Sequence, residues 1–366
     1  MTGWAEPALR LLLDRVGQTV EHVGDRFPLF ADPDTGTWTT TARGSWAGGF
    51  WAGLLALRAA AEPGAGRLAE ALAARERLAS WVHADTGCRG MIFWYGDTAG
   101  WLGLAEPAAT TVAAARALAA GFDPRVDAVP WGTALAPGPD PLALKPDGAA
   151  GVVPLLAWAR HRPGGPPDGT RLAHRHLAAH LRLGRQRWSR GAAWLLLAAA
   201  DAELHDTSNP DPPCPDPDRP CATSDADRPC AARRLAADWL GRFGTGLPTA
   251  HQGRPGAPPD SSAAAIAAVA LLTLATLDDD PRWRRAGTDL LAEVAHTAQR
   301  GSGPGAGGVG LGCYDLAGGT ATAHELIWGD YFTALGLAML TGLTEPSRWP
   351  ARPPRPRHAQ TAVGNE

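Results

Sequence analysis

Apolar residues in this chain cluster at helical spacing, and no segment shows the sustained alternation of apolar and polar positions that marks a half-buried strand. The pattern predicts helices over about 5–23, 46–62, 66–83, 89–104, 105–121, 148–162, 169–183, 188–205, 231–243, 260–277, 281–299 and 325–341, with strands few and short. Start signals support several of these: Asp147 before Gly-Ala-Ala, Asp260-Ser261-Ser262 before an Ala/Ile run, and Pro107 early in the fifth segment. Gly and Pro punctuate the joins.

The helices come in two textures. Ser189–Ala200 and Ser261–Leu277 carry almost no charge, as expected of helices covered on all sides. Arg67–His83 and Pro281–Arg300 are amphipathic and studded with Arg, Asp and Glu, as expected of an outer layer. Twelve helices alternating in this way make six hairpins, the count an all-α (α/α)6 barrel needs: six inner helices and six outer around one core. Residues 1–345 are expected to form this single domain. Two stretches fall outside it: a Pro/Asp/Cys-rich insertion at 206–230, expected to be flexible, and an Arg/Pro-rich tail at 346–366, expected to be mobile.

Composition narrows the partners. The 366-residue chain has a formal net charge of −3 and only 19% charged residues, without the basic stripe that a nucleic acid or a membrane surface would call for. No apolar run reaches the roughly 18 residues of a membrane span. The first residues lack the basic-then-apolar pattern of a secretory signal, so a cytoplasmic location is expected. Of five cysteines, Cys88 and Cys313 stand alone, while Cys214, Cys221 and Cys230 match no common zinc spacing. Neither a metal nor a cofactor is expected. Lys145 is the sole lysine among 34 basic residues, and 15 tryptophans lie largely beside Gly, Ser, Arg and Asp. Such positions suit a pocket wall as well as a core.

The unusual residues gather where the even-numbered helices begin: Gly44–Trp51, His83–Gly87, Lys145–Gly148, Arg187–Gly191, Asp260–Ser262 and Ile327–Phe332. In a barrel whose inner helices run parallel, these six N-termini share one mouth, and their positive dipole ends favour an anionic ligand. Each residue also has a plainer reading. Asp147 and Asp260 suit N-caps, and Trp51 and Phe332 suit packing. Asp330 suits a bond to nearby backbone. Arg190, a guanidinium in a nearly uncharged helix, needs an anionic partner, either a substrate or a buried carboxylate such as Asp260.

These motifs resemble the unsaturated glucuronyl hydrolases, glycoside hydrolase family 88. The likeness runs through WAGGFWAGLLAL (46–57), VPWG (129–132), PDGAAGVVPLLAWA (146–159), RWSRGAAWLLLAAA (187–200), DSSAAAIAAVALLTLA (260–275) and IWGDYF (327–332). The resemblance implies hydration of the vinyl ether in a 4,5-unsaturated uronic acid: an acid protonates C4, water adds at C5, and the hemiketal collapses. It implies Asp147 as general acid/base, Asp85 as a second essential carboxylate, and Trp46, Trp131, Trp188, Arg190 and Trp194 as substrate contacts. Such an acid must stay partly protonated near neutral pH, which burial or a second carboxylate achieves.

The chain also departs from the family. Ala84 stands where the family has a His before Asp85, with His83 one residue away, and Cys88 replaces a Phe. The segment that carries a site His and Gln before the WSRG motif is nearly missing. His174, His176 and His180 precede it instead; they offer partial compensation for the missing segment, although the outer, amphipathic character of their helix favours the surface. Two further functions therefore stand beside the first: a recruited enzyme of specialised metabolism catalysing hydration, cyclisation or elimination on a non-carbohydrate substrate, and a non-catalytic ligand-binding derivative. The partner in each case is a small molecule, expected to be anionic.

Overall fold

Six pairs of helices follow one another along the chain, and in each pair the second is the more deeply buried. The computed structural model describes residues 3–135, 140–205, 228–278, 280–300 and 305–346. Most of the expected insertion (206–227), nearly all of the expected tail (347–366), Cys214, Cys221 and the side chain of Cys230 lie outside the described residues.

The first hairpin is α1 (Ala5–Val23) with α2 (Gly48–Ala61), and the second is α3 (Ala65–Glu76) with α4 (Arg89–Gly96) and the short α5 (Thr98–Trp101). Next come α6 (Ala109–Ala120) with α7 (Val152–Ala159), and α8 (Gly169–Leu181) with α9 (Ser189–His205). The last two pairs are α10 (Arg228–Phe243) with α11 (Ser261–Leu277), and α12 (Pro281–Arg300) with α13 (Ile327–Leu340). The deeper helices touch in the order α2, α4, α7, α9, α11, α13 and back to α2, closing a ring. This is an (α/α)6 barrel.

The polarity of each helix explains its layer. Every residue of α11 from Ser261 to Leu274 is buried, and that helix has no ionisable side chain. Outer α12 buries only one face, including Trp283, Leu290, Leu291 and Val294, and exposes its charges. Close approach of inner helices depends on glycine. Gly151 has φ of +72°, and a Cβ there would lie 2.4 Å from the carbonyl carbon of Gly90 at the start of α4.

One helix differs from the sequence expectation, and the few short strands it allowed join in one place. The helix expected over 89–104 breaks at buried Asp97, whose carboxylate accepts from Arg75 Nη1 (2.7 Å) on α3 and the Ala108 amide (3.0 Å) before α6. A small sheet also forms, in the order β2-β1-β3: β1 (Phe27–Ala31), β2 (Trp38–Thr41) and β3 (Glu325–Leu326), all antiparallel. The turn between β1 and β2 is built by Asp32, whose Oδ1 accepts from the amides of Asp34 (3.0 Å) and Thr35 (2.9 Å). Beneath this sheet, Arg15 of α1 grips Glu325 through Nε (3.0 Å) and Nη2 (2.7 Å), both side chains buried. Asp330 sits beside the pair and accepts from the Val309 amide (2.9 Å), so it is bonded to backbone, though to a segment 21 residues away.

Candidate active site

Asp147 stands in a single 3-10 turn, Pro146–Ala149, that leads into α7. Proline at the first position suits the turn, and the Gly148 amide closes it on the Lys145 carbonyl at 2.8 Å. The capping role open to Asp147 is not the one it fills. Lys145 occupies the cap position, and Asp147 Oδ1 is buried with no hydrogen-bond partner. Burial raises the proton affinity of this carboxyl above the usual range, against the pull of Arg190, Lys145 and two backbone amides. The group is a partly desolvated acid with one oxygen free.

Gly148 is enclosed. A Cβ there would stand 3.1 Å from His180 Nε2 and 3.8 Å from Trp131 Cε3. Trp131 is half-buried, and its own loop is well anchored: its amide donates to Ala143 O (2.9 Å), its indole N–H to Leu135 O (2.9 Å), and its carbonyl accepts from Gly87 (3.0 Å). Lys145 Nζ lies 4.2 Å from the Trp131 ring centroid, a cation–π contact.

On the other flank, Pro146 approaches Gly191 on α9, over which the ring of half-buried Trp188 lies. Arg190 follows, with its guanidinium carbon 4.9 Å from the Trp188 ring and 5.4 Å from the Trp328 ring. Trp328 packs on half-buried Trp46 at 4.6 Å between centroids, and Trp46 stacks on Tyr314 at 6.2 Å. Trp131, Asp147, Trp188, Arg190, Trp328 and Trp46 thus form one continuous arc.

Arg190 has its anion. Its Nη1 donates to Asp260 Oδ2 at 3.0 Å and to the Cys313 carbonyl, and its Nη2 donates to Tyr314 O at 2.7 Å. Asp260 is fully buried, and it makes no side-chain cap on α11 despite its cap position. Its other oxygen instead accepts from Ser262 Oγ (2.6 Å) and the Cys313 amide (3.3 Å). The arginine therefore ties the starts of α9 and α11 to the loop ahead of α13.

Asp85 and Trp194 stand apart from the arc in different ways. Asp85 is exposed, and its Oδ2 accepts from the Thr133 amide (3.1 Å) and hydroxyl (2.7 Å) in the Trp131 loop. Trp194 is 1% exposed and packs against Phe332 (5.4 Å) and Phe50 (6.2 Å) in the core.

The histidines of α8 correct the surface assignment: His176 and His180 are 0% and 1% exposed, and only His174 is partly exposed. The Val129 amide donates to His176 Nδ1 (3.1 Å), so the ring proton sits on Nε2, which donates to Gly148 O (3.0 Å). Burial lowers the proton affinity of both rings, that of His180 to about 4. Their burial had a signal in the sequence, since 172, 173, 176, 177 and 180 fall on one helical stripe with Leu172, Ala173 and Leu177.

Cys88 and Cys313 are free, buried thiols, with burial raising Cys88 to about 12 and Cys313 to about 11, far from thiolate reactivity. Among the described residues, no group of three or more His, Cys, Asp or Glu side chains forms a metal site. No helix among them is long and apolar enough to cross a membrane.

Solved structures show the same architecture. The unsaturated glucuronyl hydrolase from Bacillus sp. GL1, described as responsible for the degradation of glycosaminoglycan, matches with a TM-score of 0.76 at 22% identity over 95% of this chain and 100% of that one. The fold is that of the unsaturated glucuronyl hydrolases. A heparin-specific unsaturated glucuronyl hydrolase matches at TM-score 0.77 and 18% identity, over 93% of this chain and 99% of that chain. The Streptococcus agalactiae unsaturated glucuronyl hydrolase matches at 0.75 and 16%, over 95% of this chain and 94% of that one. No protein-family model matches the sequence, and no curated protein does.

Proposed function

We propose that this protein hydrates the vinyl ether of a 4,5-unsaturated uronic acid at the end of a small oligosaccharide, and belongs with glycoside hydrolase family 88 as a divergent member. The observation that carries the reading is Asp147: a desolvated carboxyl of raised proton affinity, with one oxygen unpartnered, inside an arc of tryptophans. In the proposed reaction the protonated Asp147 delivers its proton to C4 of the enol ether. Its carboxylate then takes a proton from the water that adds at C5, restoring the acid. The C5 hydroxyl product is a hemiketal, which opens and releases the neighbouring sugar. Trp46, Trp131 and Trp188 offer flat faces to sugar C–H groups, while Trp194 packs in the core.

The substrate carboxylate is assigned to the positive end of this mouth, made by the starts of the inner helices and Lys145, while Arg190, engaged by Asp260, Cys313 and Tyr314, holds the wall behind it. Asp85 steadies the Trp131 loop through Thr133 and assists from there. We assign the protein to the cytoplasm and its partner to small anionic molecules.

The direct test is incubation with a lyase-generated unsaturated disaccharide, following the ultraviolet absorbance of the conjugated double bond. Loss of absorbance that disappears in Asp147→Asn is expected, and a folded protein with no turnover would overturn the reading. One observation favours a second reading, a related hydration or elimination on a non-sugar alkene: Asp85 is exposed and engaged by Thr133. Turnover of such an alkene through Asp147, without turnover of the disaccharide, would decide for it.

A further inference from the structure

The acid's turn and the Trp131 loop are separate pieces of chain, and one imidazole touches both. Val129, two residues before Trp131, donates its amide to His176 Nδ1 at 3.1 Å, and His176 Nε2 donates to the carbonyl of Gly148, the residue after Asp147, at 3.0 Å. His176 is fully buried, so neither link competes with water. His180, one turn later, holds the arrangement from behind. Its ring lies 4.2 Å from that of His176, and its Nδ1 donates to the His176 carbonyl at 2.8 Å. A second grip on the same loop is more exposed: Arg175 Nε reaches Asp127 Oδ1 at 2.6 Å.

We propose that His176 is a positioning residue that fixes Asp147 relative to the Trp131 wall, acting as a neutral imidazole with its proton on Nε2. The proposal rests on the reading of Asp147 as the acid. Geometry dictates the protonation state. A proton on Nδ1 would face the Val129 N–H, and the Gly148 carbonyl would lose its donor if Nε2 were bare. An imidazolium would carry both protons and break the Val129 link. The ionisable groups nearest to it are His180 on its own helix, and Lys145 and Asp147 on the turn it holds. Burial, then the neighbouring His180, disfavour a charge on His176. Helix α8 ends at Leu181, shortly before Trp188, and its His176 reaches the acid's turn itself.

Two substitutions separate the links. His176→Asn retains an acceptor near Nδ1 for Val129 and loses the donor to Gly148. His176→Gln reaches Gly148 and loses Val129. On the unsaturated disaccharide, His176→Asn is expected to lower kcat about 10- to 100-fold with KM nearly unchanged, the scale of a misplaced catalytic group. His176→Gln is expected to keep kcat within a few-fold and raise KM about fivefold, the weight of one displaced aromatic contact. Arg171→Ala, which breaks only the exposed pair with Asp168 at the start of the same helix, serves as control and is expected to leave both constants near those of the parent. Equal losses in both variants, or full activity in His176→Asn, would overturn the proposal.

Two measurements need no turnover. Carbon-13 spectra of the Asp147 carboxyl are expected to show its titration displaced in His176→Asn and preserved in His176→Gln. They therefore decide the positioning role even if the disaccharide is not the substrate. Nitrogen-15 spectra of the parent protein are expected to show His176 as the neutral Nε2–H form from pH 7 to 5. An ordinary titration of that ring would sink the idea, whether or not the variants fold.

Discussion

Two carboxyls of this barrel, Asp147 and Asp330, are displaced in the same direction for the same first cause, burial. Their surroundings differ. Asp330 is satisfied: the Val309 amide reaches one oxygen, Glu325 shares a hydrogen bond with it, and Arg15 balances the pair's charge. Asp147 keeps one oxygen without a partner, at a mouth lined with tryptophan. A shifted titration therefore marks a buried group and not by itself a working one: Asp201, with an unpartnered oxygen of its own, is raised to about 8 by burial alone, and what sets Asp147 apart is its place in the tryptophan arc.

The contrast is sharpest in the largest expected effect. Asp147→Asn removes the proton donor without changing shape, and should cut turnover about a hundred- to ten-thousand-fold while the thermal midpoint stays level or rises. Steady-state kinetics beside calorimetry checks both halves. An equally large loss of activity in folded Asp330→Asn would erase the distinction between the two carboxyls.

Next in size is Arg15→Met. It leaves Glu325 and Asp330 buried without their cation, which should cost about 3–5 kcal/mol in urea unfolding. Specific activity per folded molecule should remain close to that of the parent, because the damage lies under the sheet and away from the mouth.

Smaller effects appear in pH dependence, where two sets of groups oppose each other. Asp330 keeps its proton in the fold at pH values where the unfolded chain has released it, so its contribution to stability falls as pH rises above the ordinary carboxylate range. Asp330→Asn should therefore gain on the parent as pH is raised, up to about 1.4 kcal/mol per pH unit. His205 has the opposite sign: burial pushes it down to about 3, so below its ordinary value of 6.5 only the unfolded chain takes up the proton. Stability from this group is lost as pH falls from 6.5 toward 3, and His205→Phe should gain on the parent over that range with a similar slope. Urea midpoints at pH 5, 6, 7 and 8 separate the two, and slopes of the same sign would overturn whichever assignment they oppose.

Much of this architecture was legible in the sequence because helix polarity and layer go together. The nearly uncharged runs at 189–200, where Arg190 is the one charge, and 261–277 suit inner helices, and the charged faces of 67–83 and 281–299 suit outer ones. Asp260 as the partner of Arg190 was also within reach, since a buried guanidinium demands an anion. The sheet was harder to see. Its strands are two to five residues long, too short for alternation to register, although Asp-Pro-Asp-Thr-Gly at 32–36 advertises the turn. The outer, amphipathic character of α8 pointed its histidines to the surface, whereas the stripe that His176 and His180 share with Leu172 and Leu177 points inward. Pairings such as Trp46 with Trp328, or Asp85 with Thr133, depend on which loops meet, and no local pattern carries that information.

The closing contact of the ring has a consequence in time. Helix α2 is buried along almost its whole length, and its seam is completed only by α13, while Arg15 waits for Glu325 across 310 positions of chain. At about 5–20 residues per second, a ribosome needs roughly a quarter of a minute to a minute to make the intervening stretch. For that interval the side of α2 that faces α13 stays uncovered, with Phe50 packed on Tyr95 of α4 but still without Tyr331 and Phe332. The earliest-made hairpin is thus the last to be sealed, and the nascent barrel is stickiest at its beginning, where a chaperone able to hold an apolar helix would matter most.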